Sequence, residues 1–405
     1  MSDPARLGPE ADALAPDTLA VHAGREDFRA LGVHAPPLDF STTYPFTSLD
    51  GAVASLDAMM EGRGPTNGGP IYSRLHAPTV ARFEAGLAAM EGTEAAVAFA
   101  SGMAAITAVL LAARTPEKNH VVGVRPIYGT TDKLLSSGML GMDVTWTTAE
   151  AVREAIREDT CLVCVETPVN PTLDLVDLTE VVEQAGGIPV SCDSTFATPV
   201  LQRPADHGVA FVVHSGTKFI GGHGDVLAGV VACSQAWAAK IREVRILTGA
   251  TLHPLAAYFL HRGLPTLPLR VRRSEETATD LASRLLAHPR VSQVYHPSVP
   301  GRDPKGLVGT QMNGPGPMLS FEVEGGFEAA DRLMRSLRII TPAVSLGSTD
   351  TLIQHPAGLT QRVAGPGSGS LITPGLLRLA VGLEAADDLW RDLRLGLDGE
   401  PSSRP

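Results

Sequence analysis

The segment "VAFVVHSGTKFIGGHGD", residues 209–225, joins a short apolar run to a lysine and a glycine-rich turn. Residues 209–213 are rich in β-branched side chains, which predicts a buried strand. Lys218 comes shortly after the carboxyl end of that strand, the edge at which open α/β sheets bind ligands. The spacing G-x-x-x-x-G-K-[ST] of a nucleotide-binding loop is not met, because no glycine directly precedes Lys218 and Phe219 follows it.

Two interpretations of Lys218 remain. It is either a surface lysine in a flexible turn or a lysine whose surroundings make it lose its proton readily. A lysine of the second kind can form a Schiff base with a carbonyl compound. Which of the two applies depends on whether other residues of the chain could bind a carbonyl compound next to Lys218.

Short apolar runs alternate with amphipathic stretches through this half of the chain. The amphipathic stretches, such as "AEAVREAIRED" and "DLTEVVEQAG", have the spacing of helices. Alternating strands and helices predict a mostly parallel sheet between two layers of helices. The predicted strands cover residues 95–99, 120–124, 142–146, 161–165, 188–192 and 209–213.

Helical patterns replace the alternation around residues 235–265, and a long helix is predicted over 257–287, with Pro265 and Pro268 as interruptions. The later chain predicts a smaller α+β unit. The first 20 residues lack periodicity and predict a mobile extension. We therefore expect an N-terminal extension and arm over 1–60, an α/β domain over 61–256 and an α+β domain over 257–405.

The composition restricts the classes of protein to which the chain can belong. Its 405 residues, 44% of them hydrophobic, suffice for two domains with a sizeable core. The net charge of -11, with no basic run, argues against nucleic acid or an anionic membrane as a partner. No apolar stretch has the length of a membrane span and no signal-peptide pattern is present, so we expect a soluble cytoplasmic protein.

The four cysteines are too few for a disulfide framework. Cys161 and Cys164 form a C-x-x-C pair inside the apolar run "CLVCVET", with no second cysteine or histidine pair at zinc spacing. We interpret both as core thiols and predict no metal site.

A phosphate site is suggested by "FASGMAAITAVLLAA", residues 99–113, where an apolar strand runs directly into a helix. Ser101, Gly102 and Met103 stand at the helix amino end, which offers free N–H groups and a positive dipole end. An ordinary strand-to-helix turn is an equal alternative for this stretch alone. Ser215 and Thr217 add hydroxyl groups at the end of another predicted strand.

Four further residues have the chemistry of a ring-binding site. Tyr72 and Arg74 are two residues apart, so in an extended segment both side chains face one side; a surface arginine beside a turn is the alternative. Asp193 ends a predicted strand and is either a satisfied polar group or the partner of a cationic ring nitrogen. Tyr128 supplies a ring face and a proton donor. Together with Lys218, these groups meet the requirements of pyridoxal 5'-phosphate.

The chain resembles the Cys/Met metabolism family of pyridoxal-phosphate enzymes from about residue 18 to about residue 395. That family includes cystathionine γ-synthase, cystathionine lyases, methionine γ-lyase and O-acylhomoserine sulfhydrylases. The resemblance implies an α/β fold of the aspartate-aminotransferase type, fold type I, and a homotetramer built from two tight dimers. It rests on "YSRLHAPT", "SGMAA", "YGTT", "ETPVNPTL", "CDSTFATPVLQRP", "VVHSGTKFIGGHGD", "VSLGSTDTLIQHPAG" and "RLAVGLE".

The resemblance assigns roles in cofactor binding. Lys218 matches the Schiff-base lysine, Asp193 the partner of the pyridine nitrogen and Tyr128 the stacking ring that also donates a proton. Tyr72 and Arg74 match a pair that reaches the phosphate from the neighbouring subunit. The other phosphate contacts match Gly102, Met103, Ser215 and Thr217.

The resemblance also assigns the substrate site. Arg378 matches the arginine that binds the substrate α-carboxylate, with Ser345 and Asn170 beside it. A guanidinium suits a carboxylate because two parallel hydrogen bonds can form. Glu166 either orients Asn170 or a ring substituent, or is a satisfied core group. We interpret His214 as a packing residue that forms a hydrogen bond, rather than as a base.

Departures from the family pattern bear on the substrate. Thr130 stands where methionine γ-lyases typically carry a cysteine, and Asp350 where most relatives have glutamate. Asp39 and Phe40 change the expected entrance. Val344 replaces the glutamate of cystathionine-handling members, and an apolar wall leaves a second charged group of a substrate unpaired.

We therefore predict γ-elimination from a compact γ-substituted L-amino acid. The leaving group need not be a thiolate, and an acyloxy group or a halide fits the same chemistry. The alternative is γ-replacement on an O-acyl-L-homoserine, which shares every step up to loss of the γ-group. A product that contains an added nucleophile would distinguish replacement from elimination.

Overall fold

The computed structural model describes residues 14–360 and 372–399. The first 13 residues of the predicted extension lie outside this part of the chain. The prediction is wrong for the remainder, because a helix begins at Pro16 and its Asp17 carboxylate accepts hydrogen bonds of 2.5 and 2.8 Å from Arg272. Pro16 suits the first turn of this helix, and the buried side chains of Leu19 and Ala20 pack it onto the body of the protein.

The described residues form twelve strands and fourteen α-helices. The strands are β1 (Ala95–Phe99), β2 (His120–Val124), β3 (Asp143–Thr147), β4 (Thr160–Glu166), β5 (Val190–Asp193), β6 (Phe211–His214), β7 (Gly229–Cys233), β8 (Val291–Tyr295), β9 (Met318–Val323), β10 (Thr341–Pro342), β11 (Leu352–Gln354) and β12 (Leu376–Ala380). The first seven helices are α1 (Pro16–His22), α2 (Phe28–Leu31), α3 (Leu49–Met60), α4 (Pro78–Glu91), α5 (Gly102–Ala113), α6 (Gly129–Ser136) and α7 (Val152–Ala155). The others are α8 (Leu178–Ala185), α9 (Thr198–Leu201), α10 (Gln235–Thr248), α11 (Pro254–Gly263), α12 (Leu267–Leu286), α13 (Gly326–Ser336) and α14 (Ala386–Asp398).

The larger sheet has seven strands in the order β1-β7-β6-β5-β4-β2-β3. Neighbouring strands are parallel except where β7 pairs with β1 and β6. All six strands predicted from the apolar runs are present, within about two residues of the predicted bounds. The antiparallel strand β7 is the one that sequence reasoning missed.

Alternate residues of these strands pack on opposite faces of the sheet. Val122 and Val212 belong to the core on one face, whereas Val121 and Phe211 belong to the core on the other. Both faces are covered by helices, so the strands are apolar on both sides, as expected for a parallel sheet.

The parallel strands β6, β5 and β4 are adjacent, and their carboxyl ends therefore lie side by side. Glu166 at the end of β4 is the register partner of Asp193 at the end of β5, and Asp193 is the partner of Val213 in β6. The turn with Lys218 follows β6. The topology alone thus gathers these polar groups at one edge of the sheet.

The smaller sheet has the order β10-β11-β12-β9-β8 and is antiparallel except for the β10–β11 pair. Arg378 lies in its central strand β12, opposite Ser320 of β9 and Gln354 of β11. The predicted long helix between the two units is α11 and α12, separated by the turn Leu264–Thr266. None of the helices described here has the length and apolar character needed to cross a membrane. The cytoplasmic location expected from the sequence stays a prediction.

Candidate active site

Lys218 lies in the turn after β6, and its amine points toward the smaller-sheet unit. The backbone N–H of Lys218 donates to Ser215 O at 3.1 Å, and its Nζ lies 2.6 Å from Ser345 Oγ. Gly347, at φ +79°, lets the opposing loop approach, because a Cβ there would lie 2.5 Å from Phe219 N. Burial and then the Arg378 cation lower the pKa of Lys218 to about 8, with Asp193 acting in the opposite direction.

Asp193 faces the same space through a hydrogen-bonded carboxylate. Its Oδ1 accepts from the backbone N–H of Thr195 at 3.0 Å and from the Thr195 hydroxyl at 2.6 Å. Thr195 Oγ1 accepts in turn from Ser215 N at 2.9 Å. Burial raises the pKa of Asp193, and the bonds from Thr195 oppose that effect. Among the described residues none donates to Oδ2, so this oxygen remains available to a cationic ring nitrogen.

The amino end of α5 offers donors to a phosphate. Ser101 caps the helix, with Oγ accepting from Ala104 N at 3.2 Å. The N–H groups of Gly102 and Met103 have no acceptor within the described part of the chain. Ser215 lies directly across this end, since a Cβ on Gly102 would be 3.2 Å from Ser215 Cβ. These groups therefore form a shallow cradle that an anion can enter.

Thr217 is already engaged within its own loop. Its hydroxyl donates to Ala228 O at 3.2 Å and accepts from Ala228 N at 3.0 Å. A phosphate contact from Thr217 therefore requires its hydroxyl to turn away from Ala228. The role of Thr217 in phosphate binding stays a prediction.

Tyr128 is held at the edge of the site by Glu166. The backbone N–H of Tyr128 donates to Glu166 Oε2 at 2.6 Å, and the Tyr128 side chain is exposed. The turn before Tyr128 is fixed by Arg125, which forms an ion pair with Asp132 and lies 3.9 Å from the ring of Trp146. The Tyr128 ring is thus free to meet a ligand while its backbone is anchored.

Arg378 is the buried cation of the site. Its Nη1 donates to Asn170 Oδ1 at 2.9 Å and its Nη2 donates to Ser345 O at 2.9 Å. With its amide oxygen turned toward the guanidinium, Gln354 accepts from both nitrogens at 3.2 and 3.1 Å. Burial lowers the pKa of Arg378 to about 10, with Glu166 and Tyr128 acting in the opposite direction. A guanidinium can bind a carboxylate in two parallel bonds, and the role of Arg378 toward the substrate carboxylate stays a prediction.

Tyr72 and Arg74 lie apart from this cluster in the single chain. Arg74 donates from Nη1 to Ile246 O at 2.9 Å, and its guanidinium lies 5.6 Å from the Tyr72 ring. Both side chains are exposed. No described hydrogen bond joins either of them to the groups around Lys218, so the chain alone does not bring these two predicted residues into the site.

Some of the supporting residues were not identified from the sequence as site residues. Thr195 connects Asp193 with Ser215, and the Phe196 ring lies 5.7 Å from the Arg378 guanidinium. Both stand within the motif "CDSTFATPV", but the sequence gives no sign of which group each one touches. His214 forms a buried 2.5 Å hydrogen bond with Glu91, consistent with the packing role predicted for it.

The residues present fit pyridoxal 5'-phosphate. A readily deprotonated lysine, an aspartate with an unused oxygen and an anion cradle lie around one space, with a tyrosine and an arginine beside it. These donor and acceptor groups match the aldehyde, the ring nitrogen and the phosphate of that cofactor. Fold and site together define a pyridoxal-phosphate enzyme of fold type I.

Comparison with known proteins leads to the same result and identifies the family. The family model described as "Cys/Met metabolism PLP-dependent enzyme" matches residues 17–398. An L-methionine gamma-lyase of Brevibacterium aurantiacum is 50% identical over 397 residues, covering 97% of this chain and 96% of the relative. An L-methionine gamma-lyase of Streptomyces avermitilis is 50% identical over 400 residues, covering 98% of this chain and 92% of the relative.

Solved structures show the same fold over nearly the whole chain. Cystathionine gamma synthase from Xanthomonas oryzae pv. oryzae aligns with a TM-score of 0.87 at 33% identity, covering 95% of this chain and 98% of that one. A methionine gamma lyase from Micromonospora echinospora aligns with a TM-score of 0.83 at 34% identity, covering 95% of this chain and 100% of that one. The chain belongs to the Cys/Met metabolism family of pyridoxal-phosphate-dependent enzymes. It is a γ-lyase of that family, as predicted from the motifs.

Proposed function

We propose that this enzyme removes the thiolate from Cγ of L-methionine, giving methanethiol, 2-oxobutanoate and ammonia with the uptake of one water. The observation that supports this substrate is the pairing of a single carboxylate-binding guanidinium, Arg378, with the apolar neighbour Val344. Val344 directly precedes Ser345, whose carbonyl accepts from Arg378 and whose hydroxyl accepts from Lys218 Nζ. Methionine has one α-carboxylate and an uncharged thioether, which suits this combination.

The chain's residues divide the chemical work. Bound pyridoxal phosphate supplies the electron sink that lets protons leave Cα and Cβ of the substrate. Lys218, with a pKa of about 8, is poised to accept the Cα proton when its amine is free, and Ser345 Oγ holds that amine in place. Arg378 orients the α-carboxylate, and the Tyr128 phenol donates a proton to the departing sulfur. In this proposal residues 61–256 hold the cofactor and residues 257–405 supply the carboxylate site.

The substrate proposal predicts a definite product pattern. Purified holoenzyme is incubated with L-methionine, L-cystathionine, O-acetyl-L-homoserine or a γ-halo amino acid, with and without an added thiol, and products are identified by mass spectrometry. We expect 2-oxobutanoate and methanethiol from methionine whether or not thiol is present. The kcat/KM for methionine should exceed that for cystathionine by about tenfold or more, because the second charged end of cystathionine meets an apolar wall.

Two results would contradict the substrate proposal. A main product in which the added thiol is joined to Cγ would mean γ-replacement, the alternative function. A higher kcat/KM for cystathionine than for methionine would mean that Val344 does not select against the larger substrate. The γ-halo amino acid tests whether the leaving group must be a thiolate, since loss of halide from Cγ would give the same 2-oxo acid as loss of methanethiol.

We also propose that two chains complete each other's sites in a homotetramer of two tight dimers. The outer face of α3 supports a partner there, because Leu49, Val53, Leu56 and Met60 form an exposed apolar stripe at helical spacing. Tyr72 is exposed on the segment that follows α3, and Arg74 lies beside it. A second copy seated on α3 would cover the stripe and could receive this pair at its own phosphate cradle.

Shared sites predict that two inactive variants rescue each other. Arg74→Ala and Lys218→Ala chains, each inactive alone, are unfolded together, refolded with cofactor and assayed with methionine. Random pairing makes roughly half of the dimers mixed, and each mixed dimer has one intact site, so roughly a quarter of the wild-type activity should return. If mass spectrometry shows mixed dimers but no activity returns, Arg74 serves the same site as the Lys218 of its own chain, and the proposal of shared sites is contradicted.

A further inference from the structure

We infer that Glu166 is a positioning residue that ties the stacking tyrosine to the substrate-carboxylate site. One carboxyl group bridges Tyr128, which meets the cofactor ring and the leaving group, and Asn170, which holds Arg378. The inference rests on the proposed function for the roles of these partners. It assigns Glu166 no direct contact with substrate or cofactor.

The geometry consists of three consecutive hydrogen bonds. Glu166 Oε2 accepts from Tyr128 N at 2.6 Å, and Glu166 Oε1 accepts from Asn170 N at 2.9 Å. Asn170 Oδ1 then accepts from Arg378 Nη1 at 2.9 Å. Glu166 and Asn170 are both buried, so water cannot easily replace these contacts.

Neither backbone donor has another acceptor in the described part of the chain. Tyr128 is the residue before helix α6, and its side chain does not cap that helix. Its ring is exposed, so the backbone bond to Glu166 is an important constraint on where the ring stands. The link from Tyr128 to Asn170 therefore passes through one side chain.

The electrostatic surroundings agree with a role toward Arg378. The direct hydrogen-bond acceptors of that guanidinium are uncharged groups, and the Glu166 carboxyl lies behind Asn170, where its ionised form raises the pKa of Arg378. Burial and the neighbouring Asp193 raise the pKa of Glu166 to about 8, while the two backbone bonds and Arg378 oppose the rise. Glu166 also contributes, after burial and Asp193, to the raised pKa of the buried Cys192 thiol. In either protonation state both oxygens of Glu166 can accept a bond, whereas a glutamine offers only one acceptor oxygen.

The test replaces Glu166 by glutamine, which keeps the shape and removes one acceptor. Leaving one buried N–H unpaired should lower kcat/KM for methionine by about tenfold to a hundredfold, with both a lower kcat and a higher KM. The affinity for L-norleucine, which has no leaving group on Cγ, is measured from the cofactor absorbance and should fall by a similar factor. This binding experiment does not depend on methionine being the substrate, so a failure of the proposed function is recognised separately.

A matched control and a double variant separate positioning from loss of stability. Asp392 is also a buried carboxylate that accepts from backbone N–H groups, those of Arg338, Ile339 and Ile340, in the smaller-sheet unit. Asp392→Asn should lower the melting temperature while kcat, KM and norleucine affinity stay at wild-type values. In the Asn170→Ala background, Glu166→Gln should lower norleucine affinity by a clearly smaller factor than in the wild type, because the side chain through which Glu166 acts on Arg378 is gone while the bond to Tyr128 N is the same in both backgrounds.

Any one of three results overturns the inference. The first is a Glu166→Gln enzyme with wild-type kcat/KM and norleucine affinity. The second is a loss of activity and norleucine affinity no greater than that of Asp392→Asn at an equal loss of melting temperature. The third is an effect of Glu166→Gln on norleucine affinity that is the same with and without the Asn170 side chain.

Discussion

Replacing Lys218 by alanine is expected to lower the turnover of methionine by about a thousandfold or more, because one side chain serves as both cofactor attachment point and proton acceptor. The structure supports both roles, since Nζ lies 2.6 Å from Ser345 Oγ and burial lowers the pKa of the amine to about 8. The visible absorbance of the cofactor should also change, because its covalent link to the protein is lost. Steady-state assays and absorbance spectra of purified protein measure the two effects.

Lys240 provides the control for this prediction. Its amine lies 4.4 Å from the centre of the Trp237 ring, and Lys240 belongs to helix α10, outside the turn that carries Lys218. Lys240→Ala should keep wild-type turnover and an unchanged spectrum. A Lys218→Ala enzyme with the wild-type spectrum and a turnover within about tenfold of wild type would refute the assignment of this lysine.

Replacing Arg378 by alanine is expected to be the next most damaging change to the site. The substitution removes the partner of the substrate carboxylate and leaves Asn170 Oδ1 and Ser345 O without their donor. Loss of a buried charge-assisted contact of this kind costs about 3 kcal/mol, or about a hundredfold in kcat/KM. Arg378→Lys should recover only part of this loss, because an ammonium lacks the planar pair of donors.

A substrate analogue shows whether Arg378 acts on the carboxylate itself. The amine 3-(methylthio)propylamine has the thioether of methionine without the carboxylate, so the wild-type enzyme should bind it much more weakly than methionine. Arg378→Ala should reduce that preference by about a hundredfold, as measured from the cofactor absorbance on titration with each ligand. An unchanged preference would mean that the arginine maintains the loop of Ser345 and does not bind the carboxylate.

Much of the larger sheet could be predicted because buried parallel strands have a simple sequence pattern. Each is a short apolar run between turn residues, and residues 95–99 or 120–124 match the observed strands at both ends. Strand β7 was missed because it follows the glycine-rich loop directly, without an intervening helix, and runs against its two neighbours. Its short run "GVVAC" does not fit the strand–helix alternation on which the prediction depended.

The sequence names candidate site residues one by one where a motif fixes the chemistry, as for Lys218 and Asp193, and their roles stay predictions. The contacts between motifs could not be predicted, because they depend on how the chain folds back on itself. Arg378 and Asn170 are 208 residues apart in sequence, yet Arg378 Nη1 lies 2.9 Å from Asn170 Oδ1. The bridging position of Glu166 likewise depends on the backbone at the end of β4, so the sequence alone does not decide between an orienting group and a satisfied core group.

The central claim, that Lys218 carries the cofactor, can be measured directly by borohydride reduction of the holoenzyme followed by peptide mapping. Reduction makes the link between pyridoxal phosphate and its lysine irreversible, so the modified residue can be read by mass spectrometry. The chain has five lysines, Lys118, Lys133, Lys218, Lys240 and Lys305, which makes the assignment unambiguous. We predict the mass of reduced cofactor on the peptide with Lys218 and on none of the other four. Cofactor mass on another lysine, or on no peptide from a holoenzyme that turns over methionine, would contradict the account.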